Sequence, residues 1–206
     1  MHKEAVHFIT HINNIFPEYF ENKTVLDVGG GDINGNNRKY FNNCNYICND
    51  ISESPNVNCV SRTKDLPFVD NYFDTIISSE CFEHDPEYNH SILKIYNLLK
   101  PGGIFFFTCA STGRPEHGTR KSKPHQSYGT INDIEDMRDY YYNLTVSDIN
   151  NFLPLNESFV FYKSFYNNFS HDLYFFGIKK GEPSKNYYDT VQYIETHVTE
   201  TTKDLN

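Results

Sequence analysis

The chain has 206 residues, 38% hydrophobic and 22% charged, which suits one globular domain with its own core and excludes a disordered chain. A formal net charge of −9 argues against a nucleic-acid binder, because phosphate affinity comes mainly from Lys and Arg. Five cysteines without a paired metal-site spacing predict buried free thiols in a reducing compartment, so a soluble cytoplasmic protein is expected, without a membrane span.

In chain order, residues 3–20 place Val6, Ile9, Ile12, Ile15, Phe16 and Phe20 near helical spacing, with a break at Pro17. This N-terminal stretch has no long apolar run and does not read as a signal peptide. Residues 23–28 form a first strand that ends in an acid and runs into Gly29-Gly30-Gly31. Residues 46–50 give a second strand, again ending in an acid, and 58–60 a brief third. A fourth strand covers 74–79, and a helix follows over 88–99 with Ile92, Ile95, Tyr96 and Leu99 on one face, stopped by Pro101-Gly102-Gly103. Residues 104–108 are the fifth and most apolar strand, as expected for a parallel strand covered on both faces.

Residues 111–143 are polar and show no clear periodicity. Thr145 and Asp148 make a capping box ahead of a short helix. Two aromatic runs, 159–166 and 173–179, read as a hairpin joined by 167–171. The order predicts an α/β fold: a Rossmann-like, doubly wound, mostly parallel seven-stranded sheet with helices on both faces and a C-terminal antiparallel hairpin. The domain is expected over residues 1–180, with a polar tail over 181–206 that holds a short helix near 188–196. The aromatic hairpin offers a contact for a homodimer.

In such a sheet ligands sit beyond the carboxyl ends of the strands. There the sequence places Asp27 and the glycines, then Asp50, then Ser78, Ser79, Glu80, Glu83, His84 and Asp85, and after the fifth strand Thr108, Cys109 and Ser111. Glycines let the backbone turn sharply beside a ligand, and a carboxylate at Asp50 can accept both hydroxyls of a ribose. His84 and Asp85 hint at a metal, but no complete ligand set is visible, so no metal is expected.

Over roughly residues 22–110 the chain resembles the class I S-adenosylmethionine-dependent methyltransferases, within them the small methyltransferase type 11 group. The resemblance rests on Val25-Leu26-Asp27-Val28-Gly29-Gly30-Gly31, Asn49-Asp50-Ile51, Asp65-Leu66-Pro67-Phe68 with Phe73-Asp74, Cys81-Phe82-Glu83-His84, and Leu98-Leu99-Lys100-Pro101-Gly102-Gly103. It implies S-adenosylmethionine as cofactor. Asp27, Gly29 and Gly31 would line the methionine end, and Asp50 would hold the ribose with Ile51 against the adenine. Arg62 and Thr63 would lie at the adenine edge, and Ser79 and Glu80 beside the sulfonium. Two departures stand out: an Arg at position 62, and Ile33 where the family turn has a third glycine. Gly35 and the neighbouring Asn residues are then expected to take any positive-φ positions.

The loop from Thr108 to Thr119, with Tyr140-Tyr141-Tyr142-Asn143, is similar to small methyltransferases of glycan and nucleotide-sugar pathways. Arg114, Glu116, His117 and Arg120 are therefore candidates to bind a small polar acceptor, and Arg114 and Arg120 could hold a phosphate or carboxylate. The basic run Arg114, Arg120, Lys121 and Lys123 reads equally as a solvated loop. A hydroxyl acceptor benefits from a general base, for which His84 ranks first, His117 second and Glu80 third. The expected reaction is methyl transfer to a hydroxyl of a sugar or nucleotide-sugar. N- or C-methylation, a nicotinamide-dependent enzyme on a related fold and a non-catalytic scaffold remain as alternatives.

Overall fold

The computed structural model describes residues 3–181, and the segment expected as a polar tail with a helix near 188–196 lies outside them from residue 182 onward. Seven strands form one sheet: β1 (Thr24–Val28), β2 (Asn45–Asp50), β3 (Cys59–Val60), β4 (Phe73–Ser79), β5 (Leu99–Ala110), β6 (Phe159–Asn167) and β7 (Asp172–Lys179), in the spatial order 3-2-1-4-5-7-6. The pairs among β1 to β5 are parallel, and β7 runs antiparallel to both β5 and β6. The order of winding reverses between β1 and β4, since the chain adds strands outward to β3 and then returns to the other side of β1. That switch leaves a crevice beyond the ends of β1, β2 and β4.

The helices are α1 (Lys3–Ile15), α2 (Tyr88–Leu98), α3 (Tyr128–Ile131), α4 (Val146–Phe152) and α5 (Leu155–Ser158). Period-2 alternation along the strands divides the core. Leu26, Ile76, Phe105, Phe107 and Phe175 face α2, α4 and α5, whose Ile92, Ile95, Leu98, Ile149 and Leu155 join them. Ile77, Ile104, Phe106, Tyr174 and Phe176 face α1, which contributes Phe8, Ile9, Ile12 and Ile15. The capping box that starts α4 is formed: Thr145 Oγ1 accepts from the Asp148 N–H, and Asp148 Oδ2 accepts from the Thr145 N–H.

Two sequence expectations change. Helices do lie on both faces, but the connections between β1 and β4 carry only single 3₁₀ turns, Arg38–Tyr40 and Thr63–Asp65. Here Phe41, Cys44 and Val57 pack instead over Val25 of β1 and Tyr46 and Cys48 of β2. The fifth strand also begins earlier, at Leu99, because Leu99 pairs with Phe73 before the register shifts at the glycines. Gly103 has room for no side chain, since a Cβ there would lie 2.8 Å from the Asp74 carbonyl oxygen.

The hairpin spends most of its aromatic rings inward. Phe159, Phe165, Tyr174, Phe175 and Phe176 are buried, and Phe169 at the turn is exposed. All five cysteines are free thiols, and no helix among the described residues is long and apolar enough to cross a membrane.

Candidate functional site

The strand ends open into a cavity of about 240 Å³. Its floor is the turn after β1. Gly29 leaves the strand at φ +65°, where a Cβ would lie 2.4 Å from Cys81 Sγ. Gly31 passes so close to β2 that a Cβ would meet Asp50 Oδ2 at 2.6 Å and the Tyr128 ring at 2.4 Å. Asp50 binds this turn to its own strand: Oδ2 accepts the Gly31 N–H at 2.9 Å and Oδ1 accepts the Ile51 N–H at 2.7 Å. Burial pushes its carboxyl up, and the two N–H groups oppose that shift. The turn then closes on Asp32, which accepts from the Gly35 N–H and the Asn36 side chain. Gly35 takes positive φ, as does Gly29, whereas Asn34 and Asn36 do not.

Of the residues expected at a cofactor, Gly29, Gly31, Asp50, Ile51, Arg62, Thr63 and Ser79 line the cavity. Asp27 does not. It lies one step back along β1 from the cavity, on the sheet face that Asp50 and Ser79 share, fully buried, where Oδ1 accepts from Asn37 and Oδ2 from the Tyr46 hydroxyl. Asn37 is what reaches the cavity, and it also donates to Ser79 Oγ at 3.2 Å. Asp27 is thus the support behind the wall, covered by Asn37, a contact ten residues away in the chain that the sequence does not announce.

Burial raises the Asp27 carboxyl to about 6, against the hydrogen bonds from Tyr46 and Asn37. Its folded value lies above its unfolded one, so the folded state keeps a proton that the unfolded chain releases. Stability therefore falls as pH rises from about 4 to 6, by at most about 3 kcal/mol. Denaturant melts of the wild type and Asp27→Asn across that range are expected to diverge, the wild type losing ground as pH rises. A constant difference would show that Asp27 ionises normally in the fold.

One side of the cavity comes from the aperiodic stretch 111–143. Gln126, Ser127, Tyr128, Gly129 and Met137 all line it. Arg62 ties this cover down through a two-pronged bridge to Asp136 at 2.7 and 2.8 Å, with Glu87 at 3.4 Å. Lys64 meets Glu87 at 3.0 Å. Sequence reading missed this cover because its residues carry no helical or strand period and gain their role only by lying over Gly31.

The far end of the cavity gathers the residues expected to act on an acceptor. Glu80 follows β4 directly in the left-handed region, at φ +55°, with its N–H bonded to the Thr108 carbonyl. Strained backbone of this kind persists where surrounding structure holds it, often at functional sites. His84 comes from the 3₁₀ turn Phe82–His84, and His117 from the loop after β5, with their rings 5.1 Å apart. Tyr141 packs on both imidazoles. His117 Nδ1 lies 3.1 Å from the Pro115 carbonyl, which fixes the proton on Nδ1 and leaves the Nε2 lone pair free. Burial, with His117 nearby, lowers His84 to about 3, and burial lowers His117 as well. His84 is therefore neutral near pH 7 and a weak base, against its first rank in the sequence.

Glu83, in the same 3₁₀ turn, is fully buried, and its Oε1 lies 4.0 Å from His117 Nε2. Burial and the neighbouring Glu80 push its carboxyl well up, and backbone N–H groups offset that only in part. Asp85 is engaged elsewhere: it accepts from the Glu87 N–H and the Ser91 hydroxyl at the start of α2.

Arg114 lines the cavity, but its guanidinium donates to the Ser170 carbonyl and faces Asp172 at 3.4 Å and Glu80 at 3.9 Å. Arg120 is outside the cavity, exposed and bridged to Asp139, and Glu116 accepts from the Thr119 hydroxyl, also outside. The loop turns these two outward because Thr119 and Ser122 bridge back on each other.

The comparisons agree with this architecture. A family model described as a methyltransferase domain matches residues 26–107. No curated protein matches the chain. Among solved structures, the chain is similar to the 1,6-didemethyltoxoflavin-N1-methyltransferase of Burkholderia thailandensis, with bound S-adenosylhomocysteine, at 18% identity and a TM-score of 0.57, covering 86% of this chain and 80% of that one. It is also similar to phosphoethanolamine N-methyltransferase 2 of Haemonchus contortus, in complex with S-adenosyl-L-methionine, at 17% identity and a TM-score of 0.55. That match covers 83% of this chain and 53% of the other, so the chain spans about half the length of that protein. At these identities the likeness is one of fold. The methyltransferase-domain match stops at residue 107, and the shared sheet extends beyond it over most of the chain.

Proposed function

We propose that the chain, through this domain, is an S-adenosylmethionine-dependent methyltransferase acting on a small polar acceptor, a hydroxyl of a sugar or sugar-like polyol. The cofactor fits the residues present. Gly29 and Gly31 leave bare backbone where any side chain would intrude, and Asp50 keeps a lone pair on each oxygen beyond its two N–H bonds. Asp50 would hold the ribose, Ile51 and Thr63 would flank the adenine, and Ser79 with Asn37 would stand at the methionine end. When bound, the cofactor supplies a methyl group on a sulfonium, already activated for in-line displacement.

The observation that carries the acceptor reading is the convergence of Glu80, His84 and His117 on one end of the cavity, next to Ser79. Carboxylate and imidazole acceptors suit hydroxyl groups. Glu80 is the best-placed general base, because its strained backbone at the end of β4 fixes it beside the expected methyl, and His84 is a weak base. The lining cations Arg62, Lys64 and Arg114 each face a carboxylate. This favours a neutral sugar over the diphosphate of a nucleotide-sugar. A second reading, an amine acceptor, draws support from the acids Glu80 and Glu83 at that end and from the amine named in the Haemonchus contortus neighbour.

Labelled methyl from S-adenosylmethionine, offered with separate pools of neutral polyols, nucleotide-sugars and amines, tests the choice. Label is expected in the polyol pool, with turnover falling about 100-fold or more in Glu80→Gln at unchanged S-adenosylhomocysteine affinity. Label confined to amines, with Glu80→Gln still active, would overturn the hydroxyl reading. Cofactor binding without label in any pool would favour a scaffold.

A further inference from the structure

The acceptor end holds a constellation that methyl transfer as described does not use. Glu83, His84 and His117 each offer a donor atom, and these atoms lie within 4.8 Å of one another. Both carboxylate oxygens of Glu83 and Nδ1 of His84 are buried without a hydrogen bond of full geometry to any described residue, the Glu83 and Ala110 N–H groups only lying near the carboxyl. Leaving such groups unanswered is unfavourable, and more so for a charge. His117 is prepared in the way metal-bound histidines are: its Nδ1–H is engaged by the Pro115 carbonyl, and Nε2 points to Glu83. Beside His84 the chain has a glycine: a Cβ on Gly118 would lie 2.5 Å from its Cε1 and 3.1 Å from its Nδ1. The space around that nitrogen is kept clear.

We propose that Glu83, His84 and His117 form a binding site for one divalent first-row transition-metal ion, with zinc the best match to the donors. Two imidazoles and one carboxylate suit Zn²⁺, Co²⁺ or Fe²⁺ rather than Mg²⁺ or Ca²⁺, which prefer oxygen. With bonds of about 2.1 Å, donors on one ion sit roughly 3–3.5 Å apart, so the three side chains close by about 1 Å. Glu83 lies behind the two imidazoles, and both imidazoles line the cavity, so the remaining coordination positions open toward it. An acceptor oxygen bound there would sit beside Glu80 and lose its proton more readily. That role rests on the hydroxyl-acceptor reading. The binding does not.

Cobalt is the probe. Untagged full-length protein, titrated with Co²⁺, is expected to show saturable d–d absorption at one equivalent, displaced by Zn²⁺. The signal should vanish in His117→Ala and its affinity should drop about 10-fold or more in Glu83→Gln. It should persist in His7→Ala, which removes the other close histidine pair, His7 and His11 on α1. Wild-type melting temperature should also rise with Zn²⁺, a readout that needs no variant. Absence of saturable absorption and of any melting shift overturns the proposal. So does a signal that survives in both site variants or disappears with His7. S-adenosylhomocysteine binding, measured in parallel, reports on the cofactor site alone, so failure of the metal site and failure of the methyltransferase reading stay distinguishable.

Discussion

Asp50→Ala is expected to weaken S-adenosylhomocysteine binding by about 100-fold or more, in a protein that remains folded. A ribose held by a carboxylate makes two charge-assisted hydrogen bonds, worth about 1.5–3 kcal/mol each, and the substitution removes both. It also withdraws the acceptors of the Gly31 and Ile51 N–H groups. The glycine turn then loses its tie to β2, so the floor of the cavity loosens along with the ribose contact. Asp50→Asn keeps one oxygen and the side-chain shape, and is expected to lose about 10-fold. Calorimetry with S-adenosylhomocysteine, and NAD as the control ligand, reads all three proteins. A change under about 3-fold for Asp50→Ala would place the ribose elsewhere, and tight NAD binding would turn the reading to an oxidoreductase.

Arg114→Ala is expected to cost about 3 kcal/mol of stability, lowering the melting temperature by roughly 10 °C. The reason is the company the guanidinium keeps. Asp172 is fully buried at 3.4 Å, Glu80 lies at 3.9 Å, and the Ser170 carbonyl accepts from the same side chain. Removing one partner of a buried ion pair leaves the other charged in low dielectric, which costs far more than the pair contributed. Lysine carries the charge but not the planar fork, so Arg114→Lys should recover only part of the loss. A melting temperature unchanged in Arg114→Ala would free Arg114 for an acceptor's phosphate or carboxylate, the role the sequence offered it. Arg120, exposed and paired with Asp139, is expected to matter little to either property.

Several features follow from local rules and were legible in the residues. A continuous apolar run predicts a strand buried on both faces, and β5 is such a strand over 104–108. The spacing of Thr145 and Asp148 predicts the start of α4, since a capping box is a contact between near neighbours. An acid ending the second strand, with glycines after the first, marks Asp50, Gly29 and Gly31 as lining the crevice, because strand ends in a parallel sheet point one way.

Tertiary structure alone decided the rest, because it depends on which distant segments meet. Asp27, expected at the cofactor, sits behind Asn37, which reaches the cavity from a loop ten residues on in the chain. Residues 111–143 become the cover of the cavity through Tyr128 over Gly31 and the Arg62–Asp136 bridge, contacts between residues far apart in the chain. His117 joins Glu83 and His84 from across β5, so that three side chains whose spacing carries no motif bring their donor atoms within 4.8 Å of one another. Arg114 turns inward to the buried Asp172 while Arg120 turns out. Periodicity and turn chemistry act over a few residues and survive in a sequence, whereas pairing of charges and donors across a cavity is settled only when the sheet brings them within a few ångströms.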